Sequence, residues 1–152
     1  MAYRVSSSHT FATTPERAWD VIAEAPLQDI LDHRSGPIPP VKEMVEEGPW
    51  GHVGAVRTVV LADGSSNLES LVGAERPGDY RYELTAFTGP MKMLVKRVEG
   101  RFDFKAEGDH TIATWSWAIH PTNPVAGVAL PALGFFWKGW AAKMWPKFGA
   151  RI

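Results

Sequence analysis

The sequence predicts an α+β domain in which a strongly curved antiparallel sheet of about seven strands wraps around a long C-terminal helix, with two short helices after the first strand. Three observations carry this. Residues 41–120 alternate apolar and polar side chains with period two and are cut by short Gly-, Asp- and Pro-containing turns. Residues 133–144 switch to large apolar side chains at three- and four-residue spacings. Between the first alternating segment and the sheet lies a complete helix-start signal. No repeat, linker or low-complexity tract divides the chain, so residues 1–152 form one domain.

Taken in order, residues 3–12 alternate as a strand. Thr14 then caps a helix, Pro15 occupies its first position and Glu16 suits its positive end. Trp19, Ile22 and Ala23 mark its apolar stripe, Pro26 ends it, and "LQDILDH" forms a short second helix. "VKEMVEE", "VGAVRTVVLA" and "NLESLVGAE" are strands, the last two joined around Asp63-Gly64. "YRYELTAF" comes after "PGD". "MKMLVKRVEGRFDFKA" reads as one long strand with a bulge or bend at Gly100, and a turn at "EGDH" leads into "TIATWSWAIH". Short turns between successive strands make an antiparallel meander. Asn123-Pro124 resembles a cap with a first-turn proline. Pro131 breaks or kinks the helical run at that point, and Leu133, Phe136, Trp137, Trp140 and Met144 share one face of the helix beyond it.

A net charge of −1 argues against a nucleic-acid partner or a membrane-surface protein, both of which need a basic footprint. The absence of cysteine excludes disulfides and thiolate chemistry and fits a reducing compartment. The N-terminus lacks an apolar signal core, and the most apolar run, 123–137, is too short to span a bilayer. A cytoplasmic protein without stable membrane insertion is expected, as a monomer or weak homodimer. Five of the seven tryptophans lie after position 114, which points to a bulky aromatic core or an aromatic wall around a cavity.

Two strands that otherwise want burial each carry one charge, Arg57 and Glu69. If the hairpin loop is Ala62-Asp63-Gly64, Leu61 faces Ser65 and Arg57 falls opposite Glu69; a two-residue loop would place Thr58 there instead. In the first register the charges share the apolar face with Val59, Leu61 and Leu71, where each must be paired or wetted. They are either polar anchors in a hydrated cavity or a structural pair that sets register. Arg57 should lower the glutamate's pKa.

Tyr82 shares a face with Tyr80 and Leu84, as cavity lining or as core. Trp115 and Trp117 point to one face of the last strand, toward the helix bearing Phe136, Trp140 and Met144. Each of these is a candidate for ligand contact or for plain packing. His33, Trp50 and His52 lie in loops near a potential mouth, and Arg97 and Glu99 read as solvent-facing ions. No phosphate-binding glycine loop or nucleophile elbow is present, and the five scattered histidines lack metal-ligand spacing. No metal or other cofactor is expected.

"TTPERAWDVIAEA", "GHVGAVRTVVLADG" with "LESL", "PGDYRYEL" and "GDHTIATWSWAI", in this order across residues 3–150, resemble the START/Bet v 1-like (SRPBCC) superfamily and within it the polyketide cyclase/dehydrase-type branch. The resemblance implies a helix-grip fold with a deep, mostly apolar cavity for lipids, sterols, hormones or polyketides. It does not imply one activity, since members include carriers, sensors and enzymes. The leading expectation is binding of a small apolar ligand by Arg57, Val59, Glu69, Leu71, Tyr82, Leu84, Trp115, Trp117, Phe136 and Trp140. The alternatives are a cyclase, dehydratase or isomerase with Glu69 as acid/base, Arg57 tuning it and Tyr82 polarising a carbonyl, and a protein-interaction module without small ligand.

Overall fold

A computed structural model describes residues 2–152. Strand β1 (Tyr3–Phe11) is followed by helices α1 (Pro15–Glu24) and α2 (Leu27–Ile30), and then by strands β2 (Val41–Glu46), β3 (Val56–Leu61), β4 (Ser66–Glu75) and β5 (Asp79–Thr85). A helical turn, α3 (Met91–Leu94), precedes the long strands β6 (Val95–Glu107) and β7 (His110–Pro121). Helices α4 (Pro124–Gly127) and α5 (Leu130–Gly149) complete the chain. All seven strands form one sheet in the order β1-β7-β6-β5-β4-β3-β2, and every pairing is antiparallel. The expected meander is therefore present, with β1 returning to the free edge of β7 and α5 packed across β1 and β7.

Local chemistry accounts for the ends of the elements. Thr14 Oγ1 accepts from Arg17 N at 3.2 Å and Asn123 Oδ1 from Ala126 N at 2.8 Å, each satisfying one of the orphan donors of a helix start. The β3–β4 loop is the three-residue one: Leu61 N donates to Ser65 O at 2.8 Å, and Gly64 takes φ +88, a conformation open to glycine at little cost. Helix α5 buries Leu133, Trp137, Trp140, Met144 and Phe148. At about 1.5–3 kcal/mol for each large side chain, this burial holds the helix in the sheet's grip.

Three details differ from the sequence reading. The α1 stripe is rotated by one position: Ala18, Val21 and Ile22 are buried, while Trp19 and Ala23 are half-buried against β5 and the outer loops. "MKML" is a helical turn, because Pro90, at φ −60, starts it and the N–H groups of Lys92 and Met93 bond back to Gly89 and Pro90. Gly100 is not a bulge. The β6 irregularity lies between Val95 and Arg97, and Gly100 pairs regularly with Tyr82 on β5 and Trp117 on β7. Glycine is needed there because the Tyr82 ring lies over its Cα, in the space a Cβ would take.

Gly73 is also covered, but by the Arg81 guanidinium, the mobile end of a side chain that is 43% exposed. The two glycines should therefore respond differently to substitution. Gly100→Ala should destabilise by about 1–3 kcal/mol through overpacking against a fixed ring. Gly73→Ala should stay within about 0.5 kcal/mol, since Arg81 can swing away. Urea-unfolding midpoints at unchanged slope measure both.

Candidate functional site

The hairpin register sets Arg57 opposite Glu69. Arg57 Nε donates to Glu69 Oε1 at 2.7 Å, and its Nη1 reaches Glu46 Oε2 at 3.3 Å. The guanidinium also lies 3.8 Å over the Trp50 ring, a favourable cation–π placement. Glu69 is 3% exposed and Arg57 8%, whereas the Glu46 side chain is 41% exposed. The arginine thus links a carboxylate near solvent to a carboxylate in the interior, with an indole stacked on its guanidinium. Burial pushes the Glu69 carboxyl above its ordinary value, overcoming the opposing pull of Arg57. That reverses the expectation that the arginine would win, because Glu69 is taken out of water while its partner is shared with a second carboxylate. Among the described residues, the bond from Arg57 is the only hydrogen bond the Glu69 carboxylate receives, so Oε2 has no protein partner.

Beside this pair, β5 presents Tyr80, Tyr82 and Leu84 inward. Trp115 Nε1 and Trp117 Nε1 both donate to the Tyr82 hydroxyl, at 2.7 and 2.8 Å. A phenol oxygen has two lone pairs and one proton. Both lone pairs are occupied, so the hydroxyl can only donate further, and among the described residues it has no acceptor. Burial raises the Tyr82 pKa far above the ordinary phenol value and that of Tyr80 to about 12, so both rings are neutral at physiological pH.

These groups line an internal cavity with about 100 Å³ of space open to the centre of a water-sized sphere. Arg57, Val59, Glu69, Tyr82, Leu84, Trp115, Trp117 and Trp140 all stand in its wall. Two expected residues do not. Leu71 is buried in the core beyond the cavity, where the β4 register shifts between Leu71 and Gly73. Phe136 points sideways from α5 over Gly36, and its carbonyl accepts from Ser35 Oγ at 2.6 Å. An i, i+3 step from Leu133 carries Phe136 to the rim of the buried stripe, which Trp137 and Trp140 occupy.

Several wall residues escape sequence reasoning. Asn67, two positions before Glu69 and on its face, is legible from strand alternation. Ile38, Phe87 and Met91 are not, since they come from loops and a helical turn whose direction no periodicity records. Of the loop candidates, His33 Nε2 lies 2.9 Å from Trp140 O, while its carbonyl accepts from Trp140 Nε1 at 3.0 Å, so it fastens α5. His52 is exposed, and Trp50 belongs with Arg57 and Tyr80 in a shallow outer pocket. Arg57 and Tyr80 line both spaces and form the partition between them. Arg97 and Glu99 form a pair at 3.3 Å on the outer face, where Glu99 also meets His120. Among the described residues no cluster of three His, Asp or Glu could hold a metal ion, and no helix is long and apolar enough to cross a membrane.

Comparison with solved structures finds the same architecture. Norcoclaurine synthase from Thalictrum flavum, solved in complex with dopamine and hydroxybenzaldehyde, is 13% identical with a TM-score of 0.71, covering 99% of this chain and 86% of that one. The major latex-like protein 151 of Panax ginseng is 12% identical with a TM-score of 0.70, over 99% and 97% of the two chains. A START superfamily protein from Mycobacterium smegmatis is 12% identical with a TM-score of 0.70, over 98% and 96%. At these identities the likeness concerns the fold, which is the helix-grip fold of Bet v 1-like proteins. No curated protein matches the sequence. The family described as polyketide cyclase / dehydrase and lipid transport matches residues 2–151, and the chain belongs to that family.

Proposed function

We propose that the protein binds a small, neutral, largely apolar molecule carrying a carbonyl or similar acceptor in the cavity between sheet and α5. The observation that carries this reading is the Tyr82 hydroxyl, whose proton is left without an acceptor in an aromatic pocket by the two indole donors. A ligand oxygen placed there completes the hydrogen bonding of a buried group, which is worth about 1–3 kcal/mol against leaving it unpaired. Glu69 Oε2 offers a second polar contact for a ligand hydroxyl or N–H.

Size and charge narrow the class. At roughly 10–15 Å³ per water on this measure, the cavity has room for about seven to ten waters, or on the order of 200–300 Å³ of ligand. That suits a ring system with short substituents better than a long acyl chain. Arg57 is already flanked by two carboxylates, Glu46 and Glu69, so no surplus positive charge awaits a ligand carboxylate. Of a lipid, an aromatic metabolite and a polyketide-like compound, a neutral aromatic or polyketide-like one fits best.

A second reading, acid/base turnover of such a compound, is favoured by the burial of Glu69, which pushes its carboxyl above the ordinary value. A more basic carboxylate is a better proton acceptor than an ordinary one. Glu69→Gln would then abolish turnover while affinity stays within a few-fold.

Native mass spectrometry of freshly purified protein should reveal a neutral aromatic adduct. Tyr82→Phe should weaken its binding by roughly 10- to 100-fold in calorimetry, the cost of one hydrogen bond to an unpaired buried partner. Unchanged affinity would sink the role given to Tyr82. For Glu69, the folded state favours the protonated form. Its contribution to stability is fully present below the unfolded value of 4.5 and is lost as pH rises through the folded-state pKa. The unfolding free energy of the wild type relative to Glu69→Gln should therefore fall as pH rises from acid to neutral, as urea titrations measure.

A further inference from the structure

The four most exposed of the large apolar side chains among the described residues lie on α3, α4 and the first turns of α5. Val125 and Val128 are each 81% exposed, Met93 74% and Phe135 73%. Helices α3 and α4 touch, and Thr122 Oγ1 donates to Met93 O at 2.6 Å, which brings Met93 beside α4. Val128 and Ala129 keep right-handed helical backbone between α4 and α5. Positions 125, 128, 132, 135, 138, 139 and 142 thus recur at helical spacing, and none of them is buried. This outer stripe is the reverse of the face that α5 buries in the sheet.

Charge around the stripe is one-sided. Residues 84–98 and 121–152 contain seven lysines and arginines and no acidic residue. Arg97, Lys147 and Arg151 are paired with carboxylates. Lys92, Lys96, Lys138 and Lys143 form no ion pair among the described residues. Lys92 adjoins Met93 and Lys96 follows α3 at the start of β6, whereas Lys138, one turn from Phe135, lines a pocket that Arg4, Glu83 and Glu99 share. The overall charge of −1 hides this segregation, and a local patch, not the total, decides what a surface meets.

We infer that this end of the molecule docks on an anionic lipid surface, with Val125, Val128, Phe135 and Met93 entering the interface and the unpaired lysines meeting the headgroups. Exposed large apolar groups interleaved with cationic ones are what an interfacial helix requires. A second copy of the chain fits worse, since apposing two such patches would bring like charges together. The position is also apt: Met91 on α3 and Leu133 on α5 stand in the cavity wall, so the patch adjoins the cavity on both elements. Docking does not depend on which ligand the cavity takes.

The test is flotation of the purified protein with vesicles of phosphatidylcholine alone or with a minor fraction of phosphatidylglycerol, at low and high salt. Binding is expected to the anionic vesicles only and to weaken with salt. Phe135→Ser should reduce it about 10-fold through lost apolar insertion. Lys92→Glu with Lys96→Glu should reduce it at least about 10-fold, since each near-surface lysine contributes roughly 5-fold. Flotation needs no cavity ligand, so failure of the cavity reading leaves this result standing. The inference is overturned if the wild type ignores anionic vesicles, or if both patch variants float as well as it does. It is equally overturned if light scattering shows a dimer that Phe135→Ser dissolves, because the stripe is then covered by a second copy.

Discussion

The contact on which the site depends is the pair of hydrogen bonds that the Trp115 and Trp117 indoles donate to the Tyr82 hydroxyl. Tyr82 is on β5 and both tryptophans are on β7, with β6 between them. The phenol can reach across only because β6 offers Gly100 at the row that pairs with Tyr82 and Trp117. The three strands are thereby tied on their inner face as well as along their backbones. The same ring system then meets α5: Trp115 lies 4.5 Å from Trp137 and 6.2 Å from Trp140, centre to centre. Removing the tie would free a buried hydroxyl, two buried indole N–H groups and the wall that α5 packs against.

The charged side of the cavity obeys a different constraint. An isolated buried carboxylate is costly, and here the cost is offset only in part, by one arginine shared with a surface glutamate. The uncompensated remainder shows as the upward shift of the Glu69 pKa. Tyr80 and Tyr82 feel the same environment, for the Glu69 charge adds to burial in raising both phenols. The cavity is therefore kept low in net positive charge, with donors on the tryptophan side and a carboxylate on the Arg57 side. That polarity runs across an otherwise apolar chamber.

How far the sequence can be read depends on what kind of signal each residue sends. The Arg57–Glu69 pairing is within reach because strand alternation has period two and Asp63-Gly64 limits the turn to a few geometries. Tyr82, Trp115 and Trp117 are placed on the correct faces by the same alternation, but no pattern in their spacing says that two indoles converge on one oxygen. Gly100 reads as a bend because glycine in a strand often marks one, and the competing reason, close approach of a ring from the next strand, is a tertiary fact. Phe136 is misplaced for a related reason. On a helix a step of three residues turns it about 60° off the stripe, and only the depth of the sheet decides whether the rim is covered.

By itself the sequence determined the order of the strands and main helices, the single antiparallel meander, the helix starts at Thr14 and Asn123 and the shared face of Arg57, Glu69 and their apolar neighbours. These arise from local stereochemistry and from periodicities that the chain carries without reference to its distant parts. Tertiary structure alone decided that burial outweighs Arg57 at Glu69, that the Tyr82 proton is left over, and that Leu71 and Phe136 stand outside the wall while Ile38, Phe87 and Met91 enter it. Each of these depends on distances between segments far apart in the chain, and desolvation and hydrogen-bond satisfaction are properties of the packed volume, to which sequence spacing is blind.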